Sequence, residues 1–490
     1  MSQNETNNPE QKSPSFLLSA IPLVVLVCQL TATVTIFGSD SLTGPSQIAL
    51  LVATAVCCAL GMQCCGVKWQ TIESAVESKI KDTTTSIYIL LIIGMIAGTW
   101  MISGIVPTLI YYGIQIIHPA VFLASACLIS AVVSVMTGSS WTTIATIGLA
   151  LIGIGRALGF EDGWTAGAII SGAYFGDKVS PLSDTTVLAS SVSGVPLFEH
   201  IKYMMYTTVP TMLITLTLFI IAGIFMGTSS ESDISLYLTA LDKAFCISPW
   251  LLIVPVCTAI LIYGKVPSLI VLVLSSLMAA VAALIAQQDV LLQIAGMPMS
   301  AMALFKGVII TMATSTAVET GVPLLNDLVS TSGMAGMMNT VWLILAAMFF
   351  GGAMTACGML QTFLTAVFKK LVKTRFGLVL ATSLNGLALN IMTADQYIAI
   401  ILSANMFKDE YLKQGYEPRL LSRTTEDSAT VTSVLIPWST CGMTQATVLG
   451  VATITYLPFT FFCYLSPVMT LVHALFGWKI KRHHVTDSEA

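Results

Sequence analysis

The chain has 490 residues, of which 55% are apolar and only 9% charged, and its net charge is −4. A mean hydropathy of +0.85 excludes a water-soluble globule of this length and makes lipid the solvent. No basic block is present of the kind that binds nucleic acid.

Residues 1–14 are polar and weakly basic, and the apolar run 16–37 is longer than a signal-peptide core, so it reads as a retained first span behind a short tail. Apolar stretches follow near 46–65, 85–103, 119–135, 141–158, 164–175, 184–195 and 204–226. Residues 228–247 form a linker, and the second half supplies 248–264, 267–286, 339–357, 376–391, 397–407, 428–445 and 449–477. Several stretches fall short of the ~20 residues a spanning helix needs. Residues 66–84 mix Glu73, Glu77, Lys79 and Lys81 with apolar positions, which predicts an amphipathic helix on the inner surface; the counterpart, 301–334 with Glu319 and Asp327, is expected on the outer side. Trp100, Tyr111, Tyr112 and Trp478 stand near segment ends as interfacial anchors. Eleven cysteines contain no CxxC and read as small core residues; no HExxH or GxxxxGK[ST] occurs, which argues against a zinc protease and an ATP-driven pump.

The two halves echo each other. Gly98–Gly104 recurs as Gly352–Gly358, Met136-Thr137 as Met392-Thr393, and Pro210 is answered by Pro458. Loops near His118 and Arg156 are poor in basic residues. Their counterparts carry Lys369, Lys370, Lys373, Arg375 and Lys408, Lys413, Arg419, Arg423. The positive-inside rule puts the second pair in the cytoplasm and the first outside, as inverted repeats require. It also places Lys12, Lys68, Lys202, Lys265, Lys479, Lys481 and Arg482 inside, Lys243 and Lys306 outside, and both termini in the cytoplasm.

The expected organisation is a cytoplasmic tail (1–14), a first repeat (15–227) with hairpin 119–156 and broken helix 164–198, the linker 228–247, a second repeat (248–478) with hairpin 376–407 and broken helix 424–445, and a tail (479–490). This describes an all-α polytopic membrane protein of about ten full spans plus two re-entrant hairpins, each followed by a discontinuous transmembrane helix.

Gly176-Asp-Lys-Val-Ser-Pro-Leu-Ser-Asp-Thr-Thr186 carries the chemistry, because it sets two carboxylates, a lysine and four hydroxyls at membrane depth. Charge there is costly and functional by default. Asp177 and Asp184 are the leading sodium and proton ligands, supported by the hard oxygens of Ser180, Ser183, Thr185 and Thr186. Lys178 is expected to pair with one of the two aspartates, and helix N-capping is the rival role for Asp184. The hairpin tips add Asp395 and, as further candidates, Thr137, Ser139, Ser140, Asn390 and Thr393. Of Glu426 and Asp427, one is expected to cap a helix while the other faces the site or pairs with Arg423. Burial raises the proton affinity of a carboxylate while a nearby cation favours its charged form, so proton and sodium compete for one group. If only loaded forms cross, competition becomes exchange.

The eleven-residue signature, together with Glu417-Pro-Arg-Leu-Leu-Ser-Arg-Thr-Thr-Glu-Asp-Ser428 and Pro437-Trp-Ser-Thr-Cys-Gly442, resembles the NhaC family of sodium/proton antiporters over about residues 15–478. The resemblance implies a bacterial inner-membrane antiporter with inverted repeats and re-entrant hairpins, moving by alternating access. The transported ions are sodium and proton, no cofactor is needed, and a homodimer is possible by analogy. The family also includes malate/lactate antiporters, so exchange of a small organic acid is the alternative. Against it, Lys178 is the only cation placed inside the membrane, and no arginine stands there to clamp a carboxylate. An intramembrane hydrolase lacks a grouped Ser/His/Asp set, and an ion channel needs a continuous pore, which occluded carboxylates do not suggest.

Overall fold

The computed structural model describes residues 12–37, 43–226, 231–264, 266–318, 326, 329–368 and 371–481. Lys265, Glu319, Asp327, Lys369, Lys370 and Arg482 lie outside the described residues, as do most of both expected tails. Among the described residues the secondary structure is predominantly helical, and Thr316 and Thr331 form an isolated antiparallel bridge. Among the described residues, eight helices are long and apolar enough to cross a membrane by length and composition. The number is up to ten if each of two bent pairs is one span: Tyr237–Ala244 with Pro249–Tyr263, bent by 85°, and Thr453–Phe459 with Phe461–Phe476, bent by 52°. The protein is a multi-pass membrane protein.

The predicted surface helix at 66–84 is not a separate element. Trp69–Ile102 is one helix of 34 residues, because no glycine or proline interrupts the chain before Gly94. Its charged start packs against Met338–Ala356, where a Cβ on Gly352 would lie 2.8 Å from Val76 Cγ2. Within the expected counterpart, Ala301–Ala313 is helical. Trp100 is not an interfacial anchor either: it is buried, and its indole N–H donates to Ser275 Oγ at 3.0 Å.

Two packing groups emerge. Trp69–Ile102 lies against Ser268–Ala286 and Met338–Ala356, and the latter also contacts Pro45–Cys65. Separately, Phe122–Thr137 runs along Asp162–Val179, and Gln396–Lys413 packs on Asp184–Ser193 and Pro418–Thr425. The Phe122–Thr137 contact is unusually close. A Cβ on Gly172 would meet the Cys127 carbonyl oxygen at 2.0 Å, and one on Gly176 would meet Ser134 Cβ at 2.4 Å. Only hydrogen side chains allow that approach.

Matching positions in the two halves adopt the same local geometry at one constant offset. Phe122–Thr137 ends at Gly138 with φ 68°, and Arg375–Thr393 ends at Ala394 with φ 55°. The next residue caps the following helix in each case: Ser139 Oγ accepts from Thr142 N at 3.2 Å, and Asp395 Oδ1 from Ile398 N at 3.0 Å. Glu161 and Glu417 start the two broken helices, Pro181 and Pro437 interrupt them, and Gly194 and Gly450 end them. Both first arms, Pro119–Thr137 and Arg375–Thr393, have 19 residues and are long enough to cross by themselves.

Candidate ion-binding site

The first helix break follows from Pro181, which disfavours helical backbone at the residue before it. Ser180 accordingly adopts ψ 130°, helix Asp162–Val179 stops, and helix Asp184–Ser193 restarts behind the Ser183 cap. Capping therefore falls to Ser183, whose Oγ accepts from Thr186 N at 3.5 Å, and not to Asp184. The second break is wider. Pro418–Thr425 passes into a π-helical turn at Glu426–Thr430 and a 3-10 turn at Ser433–Leu435, then restarts at Thr440–Leu449 behind Ser439. Pro437 sets Ile436 extended, as Pro181 does Ser180.

Asp177 is buried at the end of its helix. Its Oδ2 accepts from Ser140 Oγ at 2.7 Å and its Oδ1 from Ser183 Oγ at 2.7 Å. The hydroxyl chain continues: Ser183 Oγ lies 3.0 Å from Thr185 Oγ1, which donates to Glu426 Oε1 at 3.3 Å. One polar string thus joins the first hairpin turn, both sides of the first break, and the second break. Thr186 Oγ1 donates to the freed carbonyls of Asp177 and Lys178 at 3.2 and 2.9 Å, and Ser180 Oγ donates to the Val135 carbonyl at 2.8 Å. Asp184 is exposed and sits beside Asp177, Thr137, Ser139 and Thr185 around a cavity of about 90 Å³.

Lys178 does not pair with Asp177 or Asp184. Its Nζ forms an ion pair with Asp427 Oδ1, both side chains being 0% exposed, and donates to Ser466 Oγ at 2.9 Å. Asp427 also accepts from Thr207 Oγ1 at 2.8 Å and from Thr470 Oγ1. Asp427 is therefore neither a cap nor a partner of Arg423. The arginine, expected in a cytoplasmic loop, is fully buried in helix Pro418–Thr425. Its guanidinium stacks over Tyr203 at 4.5 Å, and none of its three nitrogens has a hydrogen-bond partner. Lys178 is therefore not alone as a cation buried among the helices.

The remaining candidates have local roles. Thr137 Oγ1 bonds across its own turn to the Ser139 carbonyl at 3.2 Å, and Thr393 Oγ1 donates to the Leu389 carbonyl at 2.8 Å. Asn390 Nδ2 donates to the Ala429 carbonyl at 2.6 Å, and Ser134 Oγ to the Ala173 carbonyl at 2.5 Å; these four positions are again related by the constant offset. The bond from Ser140 to Asp177 has its own counterpart in Ser433 Oγ to Gln396 Oε1 at 3.2 Å. Asp395 is buried and caps the helix whose first residues, Gln396 and Tyr397, line the 90 Å³ cavity.

Sequence reading missed Gln396, Tyr397, Ser86 and Ser268, which also line the cavity. Gln396 adjoins Asp395 and was within reach of the tip argument. Ser86 and Ser268 come from helices with no motif. A larger cavity of about 830 Å³ lies elsewhere, near Met101, Thr316, Thr331 and Thr447. The charged residues in its wall, Arg156 and Asp162, are engaged with each other at 2.8 and 2.9 Å.

A helical membrane protein with a carboxylate buried between two helix breaks and linked to both by hydroxyls has the build of an ion-handling transporter. Residues 172–478 match the sequence model of the Na+/H+ antiporter family. The chain is 39% identical over 411 residues to the Na+/H+ antiporter NhaC of Alkalihalophilus pseudofirmus, covering 84% of this chain and 86% of that one. It is 35% identical over 409 residues to the Na+/H+ antiporter NhaC of Bacillus subtilis, covering 83% and 87%. With the malate-2H+/Na+-lactate antiporter of Bacillus subtilis it shares 34% identity over 451 residues, 90% and 92% of the two chains. The protein belongs to the Na+/H+ antiporter family.

Proposed function

We propose that this protein exchanges sodium ions for protons across a bacterial inner membrane, with Asp177 as the group for which the two ions compete. The buried carboxylate of Asp177, held by Ser140 from the hairpin turn and Ser183 from the far side of the break, carries this reading. Asp184, exposed at the same cavity, serves as the entry carboxylate and second sodium contact. Ser180, Ser183, Thr185 and Thr186 supply oxygen near the ion. Asp395 acts indirectly by fixing the second turn, next to Gln396 and Tyr397 in the cavity wall.

The constant offset between caps, breaks and carbonyl contacts supports two structural repeats, and the distribution of basic residues supports their inversion, with both termini cytoplasmic. The turns at Gly138 and Ala394 are then the tips of re-entrant hairpins whose first arms are tilted or sheltered by protein. Alternating access carries the Asp177 group past the helices built on Trp69–Ile102, either as a single chain or in a homodimer.

A second reading, exchange of a small organic acid, draws support from the buried Arg423 and from the malate/lactate relative. The cavity of about 90 Å³ is smaller than the ~150 Å³ that holds a single benzene in an engineered core, which suits a cation and is small for a dicarboxylate. The test is transport in proteoliposomes, reading internal pH after a sodium pulse with and without malate or lactate. Sodium-driven alkalinisation that ignores both acids and is lost in Asp177→Asn supports the first reading. Full exchange by Asp177→Asn overturns it, and dependence on an added acid selects the second.

A further inference from the structure

The second break holds a carboxylate that the exchange at Asp177 does not use. Glu426 lies in the π-helical turn Glu426–Thr430 and is 0% exposed. Such turns are rare and concentrate at functional sites, because they shift backbone carbonyls out of the α-helical ladder. Glu426 Oε1 accepts from Thr185 Oγ1 at 3.3 Å, while Oε2 has no partner. Thr430 stands beside the same carboxylate, and neither its hydroxyl nor that of the adjacent Thr425 is engaged by any other group.

Neither buried cation serves Glu426. Lys178 is committed to Asp427, and Arg423 makes no hydrogen bond to any carboxylate. A buried carboxylate with one long hydrogen bond is far from compensated. A carboxylate and hydroxyl oxygens gathered in a buried turn are hard ligands of the kind a small cation takes.

We infer that Glu426, with the hydroxyls of Thr185 and Thr430, forms a second sodium-binding site, joined to the Asp177 site through the shared Thr185 side chain. Thr185 is within 3.0 Å of Ser183 Oγ on one side and 3.3 Å of Glu426 Oε1 on the other, so its single hydroxyl lies between the two carboxylates. Rotation of that hydroxyl offers its lone pairs to one site while its proton turns to the other, which couples the two occupancies. The chemical class of ligand is a bare monovalent cation, which one carboxylate and neutral hydroxyl oxygens suit.

The inference rests on the reading of Asp177 as the first sodium ligand, and the experiment separates the two. Equilibrium binding of radioactive sodium to the purified full chain in detergent, at alkaline pH and with potassium as competitor, gives the number of ions per chain. The native protein is expected to hold two, Glu426→Gln one, and Asp177→Asn one. Thr430→Val keeps both carboxylates and is expected to weaken one of the two ions about tenfold, the equivalent of ~1.4 kcal/mol; it carries the test if Glu426→Gln fails to fold. A native stoichiometry of one that Glu426→Gln leaves intact overturns the second site. Loss of one ion in Glu426→Gln together with none in Asp177→Asn keeps the Glu426 site and removes the reading of Asp177.

Discussion

Removing the charge of Lys178 strands Asp427 in the protein interior, and the size of that penalty can be worked from the contacts. Both partners are 0% exposed, so no solvent relieves the remaining carboxylate. Breaking a buried pair by deleting one partner costs about 3–5 kcal/mol. Asp427 retains donors in Thr207 at 2.8 Å and in Thr470, which hold the cost of Lys178→Met to the lower part of that range. Chains of 150–250 residues lose roughly 2–4 °C in Tm per kcal/mol and longer ones less, so a fall of about 5 °C is expected. The assay is thermal unfolding in detergent followed by tryptophan fluorescence. The double variant Lys178→Met with Asp427→Leu replaces the pair by apolar groups and should recover most of the loss, giving a coupling of about 2 kcal/mol or more in a double-mutant cycle. A native-like Tm for Lys178→Met, or strictly additive losses in the double variant, would refute the reasoning.

Gly176→Ala drives a methyl to within 2.4 Å of Ser134 Cβ and 2.5 Å of Val135 N; overpacking of about 1–3 kcal/mol is expected, read as a lower Tm and lower yield of folded protein. Arg423→Met removes a buried guanidinium whose nitrogens bond to nothing, losing only the stacking on Tyr203. That contact is worth about 2 kcal/mol when desolvated, less than the several kcal/mol of burying an uncompensated charge, so the Tm should rise or hold; a drop of several degrees would show that the charge has a partner in the folded protein. Ala394→Gly relieves a left-handed backbone that costs an L-residue roughly 1–2 kcal/mol; with φ at 55°, the variant should be at least as stable as the parent in the same melt.

Parts of this molecule were legible because a local rule dictates them. Pro181 disfavours helical backbone at Ser180, so the first break could be read directly, whereas the capping roles of Ser139 and Asp395 went unread beside their candidacy as ion ligands. The partner of Lys178 was not legible. Asp427 is distant in sequence, and nothing local distinguishes it from Asp177 next door. Arg423 was misplaced for a related reason: a charge count assigns basic residues to loops, yet this arginine follows Leu420 and Leu421 into a buried helix. The π-helical turn at Glu426 has no sequence signature at all. The polar start of Trp69–Ile102 looked like a separate surface element because composition changes along it, while backbone geometry does not.

Asp177 takes its two hydrogen bonds from segments that the chain would otherwise leave unconnected, one past Gly138 and one past Pro181. Both donors are hydroxyls, which can turn their lone pairs toward a metal ion as readily as they turn their hydrogens toward a carboxylate. A cargo ion arriving at Asp177 would therefore substitute for the stitches it displaces, with no heavy atom obliged to move. On the proposed exchange, either ion would leave the seam neutral, and stripping both would leave a buried negative charge. Futile empty travel would then be discouraged by the same carboxylate that grips the passenger.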